Sequence, residues 1–239
     1  MKHSRIKLSM KQAEGFPQII AELEAHYGKA VPPKMADPLS LIIFENIAYL
    51  ATDEKRLAAF DALRTKVGLE PIQILAAPDE QLVNISRLGG VQPERRAGRL
   101  REIAQIVLND FDGDLNQALK LNLPQAKKAL QKFPGIGVPG AEKILLFTKT
   151  YPVLALESNG LRVLLRLGFG EEKKNYAASY ASVQQALKEH TGSDFDFLIR
   201  AHHLLRRHGK ELCRTNNPAC EICPLKLRCA YYDQHVNRR

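Results

Sequence analysis

Apolar positions recur at steps of three and four along nearly the whole chain, the period of a helix with one buried face. Residues 17–27, 39–51, 55–67, 79–87, 96–109, 124–132, 141–149, 158–167, 176–189 and 195–208 follow this pattern and are predicted helices. Turn-forming residues stand at the joins: Pro32-Pro33, Asp37-Pro38, Gly89-Gly90, Asp112-Gly113-Asp114, Pro134-Gly135, Gly168 to Gly170 and Gly192 to Asp194. Strand-like alternation is nearly absent. Its best candidate, Tyr151–Leu156, is too short to found a sheet. The predicted class is therefore all-α. There is no tandem repeat, and Gly28–Pro38 is the only linker-like stretch.

Composition narrows the classes further. With 239 residues the chain makes one large domain or two small ones. Its 45% apolar and 26% charged residues are ordinary globular values, which exclude disorder and collagen-like structure. No apolar run approaches the roughly 20 residues that span a bilayer, and Met1–Lys11 is followed by no apolar core of a signal peptide. A soluble, cytoplasmic protein is expected, nucleoid-associated if prokaryotic. Lysine and arginine number 35 against 26 acidic residues, a formal charge of +9. Such an excess suits a polyanionic partner, although charge alone is weak evidence.

All four cysteines lie in one short stretch, Cys213-x6-Cys220-x2-Cys223-x5-Cys229. A disulfide framework usually ties distant parts of a chain together, so two local bridges are the lesser reading. Packed thiols suit a bound metal or an iron–sulfur cluster. Spacing alone does not separate tetrahedral zinc from a cubane, since both accept four thiolates.

Between two predicted helices lies Phe133-Pro134-Gly135-Ile136-Gly137-Val138-Pro139-Gly140-Ala141. Gly135 and Gly137 can adopt backbone angles closed to other residues, so their amides can converge on a phosphate at the start of the second helix. Ile136 is expected to tuck between the helices. This is the logic of a helix-hairpin-helix, which grips a nucleic-acid backbone without reading sequence. The plain alternative is an ordinary αα turn with Gly135 as a helix cap and Pro139 in the first turn of the next helix.

Together, this hairpin, a later acidic segment and a four-cysteine loop after His208-Gly209 resemble the endonuclease III family of DNA glycosylases. The resemblance runs from about Asp37 to Cys229 and takes in Ala51-Thr52-Asp53. It implies two helical lobes. One comprises residues 1–36 and 157–239 with the cysteine loop; the other comprises 37–156 with the hairpin at about 124–149. Double-stranded DNA is expected across the cleft between them. The resemblance also implies a [4Fe–4S] cluster on Cys213, Cys220, Cys223 and Cys229, structural in role, with a basic surface around it. Residues 201–239 carry eight Lys/Arg against three Asp/Glu. Arg214, Lys226 and Arg228 are the phosphate-contact candidates there, and Arg95, Arg96, Arg99 and Arg101 form a second basic cluster. For each of these the alternative is a solvated charge.

The chain departs from the family pattern at the chemistry. Bifunctional members carry a lysine two residues after the second hairpin glycine, whose amine forms a Schiff base with the sugar. Here that place is Pro139. No lyase activity of the family type is expected, and Lys143, one turn further on, is read as a solvated lysine. The family's essential aspartate falls at Glu157, in Leu156-Glu157-Ser158-Asn159-Gly160-Leu161-Arg162-Val163. At an effective dielectric of 20, a carboxylate 4 Å from a sugar cation contributes about 4 kcal/mol. The alternative is that Glu157 only complements the N-terminus of the helix that follows.

Glu45 matches the general acid of the monofunctional adenine-DNA glycosylase branch, and Asn159 also resembles that branch. A buried carboxyl there could protonate a leaving purine; the alternative is a partly exposed Glu on an amphipathic helix. Tyr49 and Leu50 stand where relatives place glutamines that fill the gap left by a flipped base, and Tyr49 is a candidate to stack or wedge. The implied enzyme is a monomeric, monofunctional N-glycosylase acting on a damaged or mispaired base. The other expectation is an iron–sulfur DNA-binding protein without catalysis.

Overall fold

A computed structural model describes residues 15–30, 35 and 37–235. The amino-terminal start and part of the linker-like stretch lie outside the described residues. Among the described residues every regular element is helical, and the one β-type pairing is an isolated bridge between Tyr49 and Gly90. None of the helices described is long and apolar enough to cross a membrane. The chain divides into two compact units, Met1–Pro33 with Pro152–Arg239, and Lys34–Tyr151.

The unit spanning Lys34–Tyr151 holds eight of the described helices: α2 (Pro38–Asn46), α3 (Asp53–Lys66), α4 (Pro71–Ala76), α5 (Asp79–Leu88), α6 (Pro93–Phe111), α7 (Asn116–Leu119), α8 (Leu123–Leu130) and α9 (Val138–Phe147). Local signals start them. The Asp37 carboxylate accepts from Ser40 N at 2.7 Å, and Pro38 supplies the fixed φ of the first turn. Thr52 caps α3, which has Asp53 and Glu54 in its first turn and Arg64 and Lys66 in its last, each complementing the helix dipole. The central α6 buries Leu100, Ile103, Ala104, Val107 and Phe111, while α4 and α5 pack against it.

In the other unit are α1 (Phe16–Tyr27), α10 (Ser158–Leu167), α11 (Tyr176–Leu187), α12 (Phe195–Glu211) and α13 (Ala230–His235). Phe16 sits at its centre, edge-on to Phe169 at 6.2 Å and Phe197 at 5.9 Å. Helices α10 and α12 approach closely because glycines face the contact. A Cβ on Gly209 would lie 2.6–2.8 Å from backbone and Cβ atoms of Asn159.

The predicted helices all appear, 158–167 with the expected bounds and the others with shifted ends. The one expected over 39–51 stops at Asn46, because the chain beyond it pairs with the Gly89–Val91 loop: Tyr49 N donates to Gly89 O at 3.0 Å and Val91 N to Tyr49 O at 3.3 Å. Helices α4, α7 and α13 were not predicted. Each has four to six residues, too few to display a 3.6 period. Tyr151–Leu156 forms no strand.

Candidate functional site

Phe133 to Gly137 forms the turn between α8 and α9. Gly135 has φ +73, a left-handed conformation that a side chain would strain. Ile136 is 5% exposed, and a Cβ on Gly140 would come within 3.3 Å of its Cγ2, so the small residue at 140 makes room for the buried anchor. Pro139 stands in the first turn of α9, where its missing N–H costs no hydrogen bond. Among the described residues no hydrogen bond occupies the amides of Gly135, Gly137 or Val138, and both glycines are exposed. The second helix is fastened to the first by Lys127 Nζ and Glu142 Oε1 at 2.5 Å, with Glu142 buried.

The end of α2 abuts this turn. A Cβ on Gly135 would lie 3.2 Å from Asn46 Oδ1 and 3.8 Å from an Arg99 guanidinium nitrogen. Beside Asn46, Glu45 is half-buried. Its Oε1 lies 2.6 Å from Lys143 Nζ on α9 and 3.8 Å from Arg56 Nη1 on α3. Lys143 is thus not the solvated lysine that its sequence suggests. Its ammonium lies against the Glu45 carboxylate and 5.8 Å from the centre of the Phe147 ring.

Tyr49 and Leu50 follow α2 and are exposed, 48% and 79% respectively. Leu50 has φ +49, a conformation uncommon for a branched side chain. The partner loop adds the exposed Leu88 and Val91. Arg96, 2% exposed, fixes that loop by donating to the carbonyls of Ser86, Gly89, Gly90 and Val91. The expected basic cluster on α6 is therefore corrected in part. Arg96 is internal, and Arg101 is committed to the carbonyls of Leu75 and Ala77 and to Asp79. Arg99 approaches the hairpin turn, and Arg95 donates to Gln92 Oε1 at 3.4 Å.

In the other unit Glu157 caps α10. One carboxylate oxygen accepts from Gly160 N at 2.7 Å and the other from Asn159 Nδ2 at 2.7 Å. Arg162 orients that amide, donating to Asn159 Oδ1 at 2.8 Å as well as to the carbonyls of Gly209 and Cys213. Glu157 thus caps the helix, and Arg162 links the cap to the cysteine loop.

All four cysteines line one cavity, with Val163, Leu167 and Leu225 supplying apolar wall. Burial first, and the neighbouring cysteines after it, push the Cys223 thiol up to about 11; burial likewise raises Cys220 and Cys229. Left to themselves these thiols stay protonated, so a cation in the cavity is what would make them thiolates. Donors already face the sulfurs: Arg166 Nη1 lies 3.4 Å from Cys213 Sγ, and His208 Nε2 lies 3.5 Å from Cys223 Sγ. Burial lowers the His208 imidazole to about 4. The chemistry of this donor set fits a thiolate-bound group. Among the described residues no three His, Cys, Asp or Glu side chains close around a single-ion site.

Comparison with known proteins agrees with this arrangement. No family model matches the chain. It is 28% identical over 200 residues to endonuclease III of Sulfolobus acidocaldarius, covering 83% of this chain and 82% of that one. Endonuclease III of Thermotoga maritima is 26% identical over 220 residues, covering 90% and 93%. A solved structure, a trapped endonuclease III–DNA covalent intermediate, superposes with a TM-score of 0.75 over 98% of this chain and 100% of that chain, at 20% identity, and so shares the fold. The chain is thus similar in sequence to endonuclease III proteins and shares the fold of a solved endonuclease III. Within this fold, the hairpin turn, Glu45 and Tyr49 fall in one compact unit, and Glu157, Asn159 and the cysteines in the other.

The remaining candidates are all occupied in part. Arg214 donates to Asn217 O, Lys226 to Glu221 O, and Arg228 pairs with Glu22 at 2.8 Å. Sequence reasoning missed the exposed Leu88 and Val91, the bracing role of Arg162, and Tyr27, whose hydroxyl touches His208. An unexplained arginine two residues after Gly160 was the one available signal; nothing local marks the others.

Proposed function

We propose that the protein is a DNA glycosylase of base excision repair that hydrolyses the N-glycosidic bond of a damaged or mispaired base without a Schiff-base lyase step. One observation carries this: the carboxylate of Glu45 sits at the helix end that touches a turn with unoccupied glycine amides, while Pro139 fills the position of the superfamily's nucleophilic lysine. The amides of Gly135, Gly137 and Val138 hold a phosphate of double-stranded DNA, supported by the dipole of α9. Tyr49, with Leu50, Leu88 and Val91, offers apolar surface to an opened base step. When phosphate draws Lys143 away, the Glu45 carboxylate takes up a proton from solvent and passes it to the departing base. The Glu157 carboxylate, held by Gly160 and Asn159, is the charge assigned to stabilising the sugar cation. Cys213, Cys220, Cys223 and Cys229 hold a [4Fe–4S] cluster, which when bound ties four points of the 213–229 loop together. Arg214 and Lys226 on that loop add phosphate contacts.

The test incubates the holoprotein with duplexes bearing a panel of damaged and mismatched bases, with excised bases identified by mass. Free base should appear, with strand breaks only after hot alkali, and Glu45→Gln should cut excision about a hundredfold. Breaks without alkali would overturn the no-lyase assignment and turn attention to the Lys143 amine. A second reading, a DNA-binding protein without catalysis, is favoured by the cap hydrogen bonds that already engage both Glu157 oxygens. It stands if binding persists while no base is released.

A further inference from the structure

Tyr27 ends α1, and its hydroxyl lies 3.0 Å from Nδ1 of His208. The opposite nitrogen of the same ring, Nε2, lies 3.5 Å from Cys223 Sγ. The imidazole between them is 1% exposed. Arg207 fixes the tyrosine from outside, donating to Tyr27 O at 3.0 Å with its guanidinium 4.7 Å from the ring centre.

A neutral imidazole carries one proton on two nitrogens, and a metal-bound thiolate can only accept. One tautomer satisfies both contacts: the Tyr27 hydroxyl donates to Nδ1, and the proton on Nε2 points at Cys223. The geometry points to a Tyr27–His208 relay that fixes an N–H···S hydrogen bond to Cys223 and thereby sets the electron density on that sulfur when the cysteines carry their cluster. The inference rests on the cofactor reading above.

Hydrogen bonds to ligand sulfurs withdraw charge from the iron, which raises the reduction potential and protects the iron–sulfur bond. Without the phenol, nothing holds the imidazole in the donating tautomer, and a lone pair can face the thiolate instead. Tyr27 is a positioning residue here, acting through His208. Arg166 on Cys213 and the backbone amides of Leu225, Tyr231 and Tyr232, which also donate to cysteine sulfurs, have no part in this relay.

The experiment compares the cluster-loaded protein with Tyr27→Phe, which keeps the ring and its contact with Arg207 while deleting the hydroxyl. Expected are an unchanged helical circular dichroism spectrum, a lower midpoint potential and roughly tenfold faster loss of iron to a chelator in air. Arg207→Lys, which keeps a positive charge and a donor beside the same ring, should leave the potential in place. Hyperfine spectroscopy of the reduced proteins should show, besides the Leu225 amide, an exchangeable coupled proton beside Cys223 that is present in the parent and lost in Tyr27→Phe. Equal potentials and equal iron loss in parent and Tyr27→Phe overturn the relay, as does the absence of that exchangeable proton. A parent protein without iron and acid-labile sulfide overturns the cofactor reading, and the relay with it.

Discussion

At the scale of single residues, two side-chain choices govern whether the candidate groups can be where they are. Gly209 is required by close approach rather than by backbone angle: an added Cβ would press on Asn159, whose neighbour Glu157 caps α10. Gly209→Ala is expected to cost about 1–3 kcal/mol by overpacking and to reduce excision as the cap moves; urea unfolding and the glycosylase assay measure both. Arg96 is a buried guanidinium with four carbonyl partners. Arg96→Met would leave several of those oxygens dry and unpaired, at about 2–4 kcal/mol. It should also free the loop that braces Tyr49, visible as faster amide exchange at Tyr49 and Val91. Neither role is legible locally, because arginine on a basic helix and glycine after histidine look alike whether they face solvent or a neighbouring backbone.

Among elements, the hairpin is the most self-contained device. Lys127 on α8 and the buried Glu142 on α9 hold the two helices at 2.5 Å. Lys127→Met removes the 2.5 Å ion-pair partner of a buried carboxylate and should destabilise the protein by about 2 kcal/mol, whereas the double variant Lys127→Met with Glu142→Leu should recover most of that loss. A double variant no more stable than the single one would argue against pairing as the cause. Hairpin geometry was visible in the sequence because Pro134, Gly135, Ile136, Gly137 and Pro139 each act within a turn of their own position. The pairing of Glu45 with Lys143 was not visible, since 98 residues separate them. An isolated glutamate amid apolar neighbours announces only that some partner is needed.

For the molecule as a whole, charge is the property that reaches furthest. A formal +9, concentrated toward the cysteine loop, predicts binding that weakens steeply with salt. Lys226→Ala and Arg214→Ala should each lower the slope of log K against log salt by about 0.9 without altering which duplex is preferred. Arg228→Ala should lower it less, because Glu22 already neutralises that guanidinium. Titrations of a fluorescent duplex over a salt series provide the measurement. The all-α class, the hairpin and the four-cysteine loop were determined by the sequence itself, since hydrophobic period, turn chemistry and ligand spacing are written in residues close along the chain. Tertiary structure alone decided that Lys143 meets Glu45, that Arg96 serves a loop rather than a ligand, and that Tyr27 reaches a cysteine through His208. Those facts depend on which distant surfaces pack together, and packing is settled by the summed fit of many side chains rather than by any local pattern.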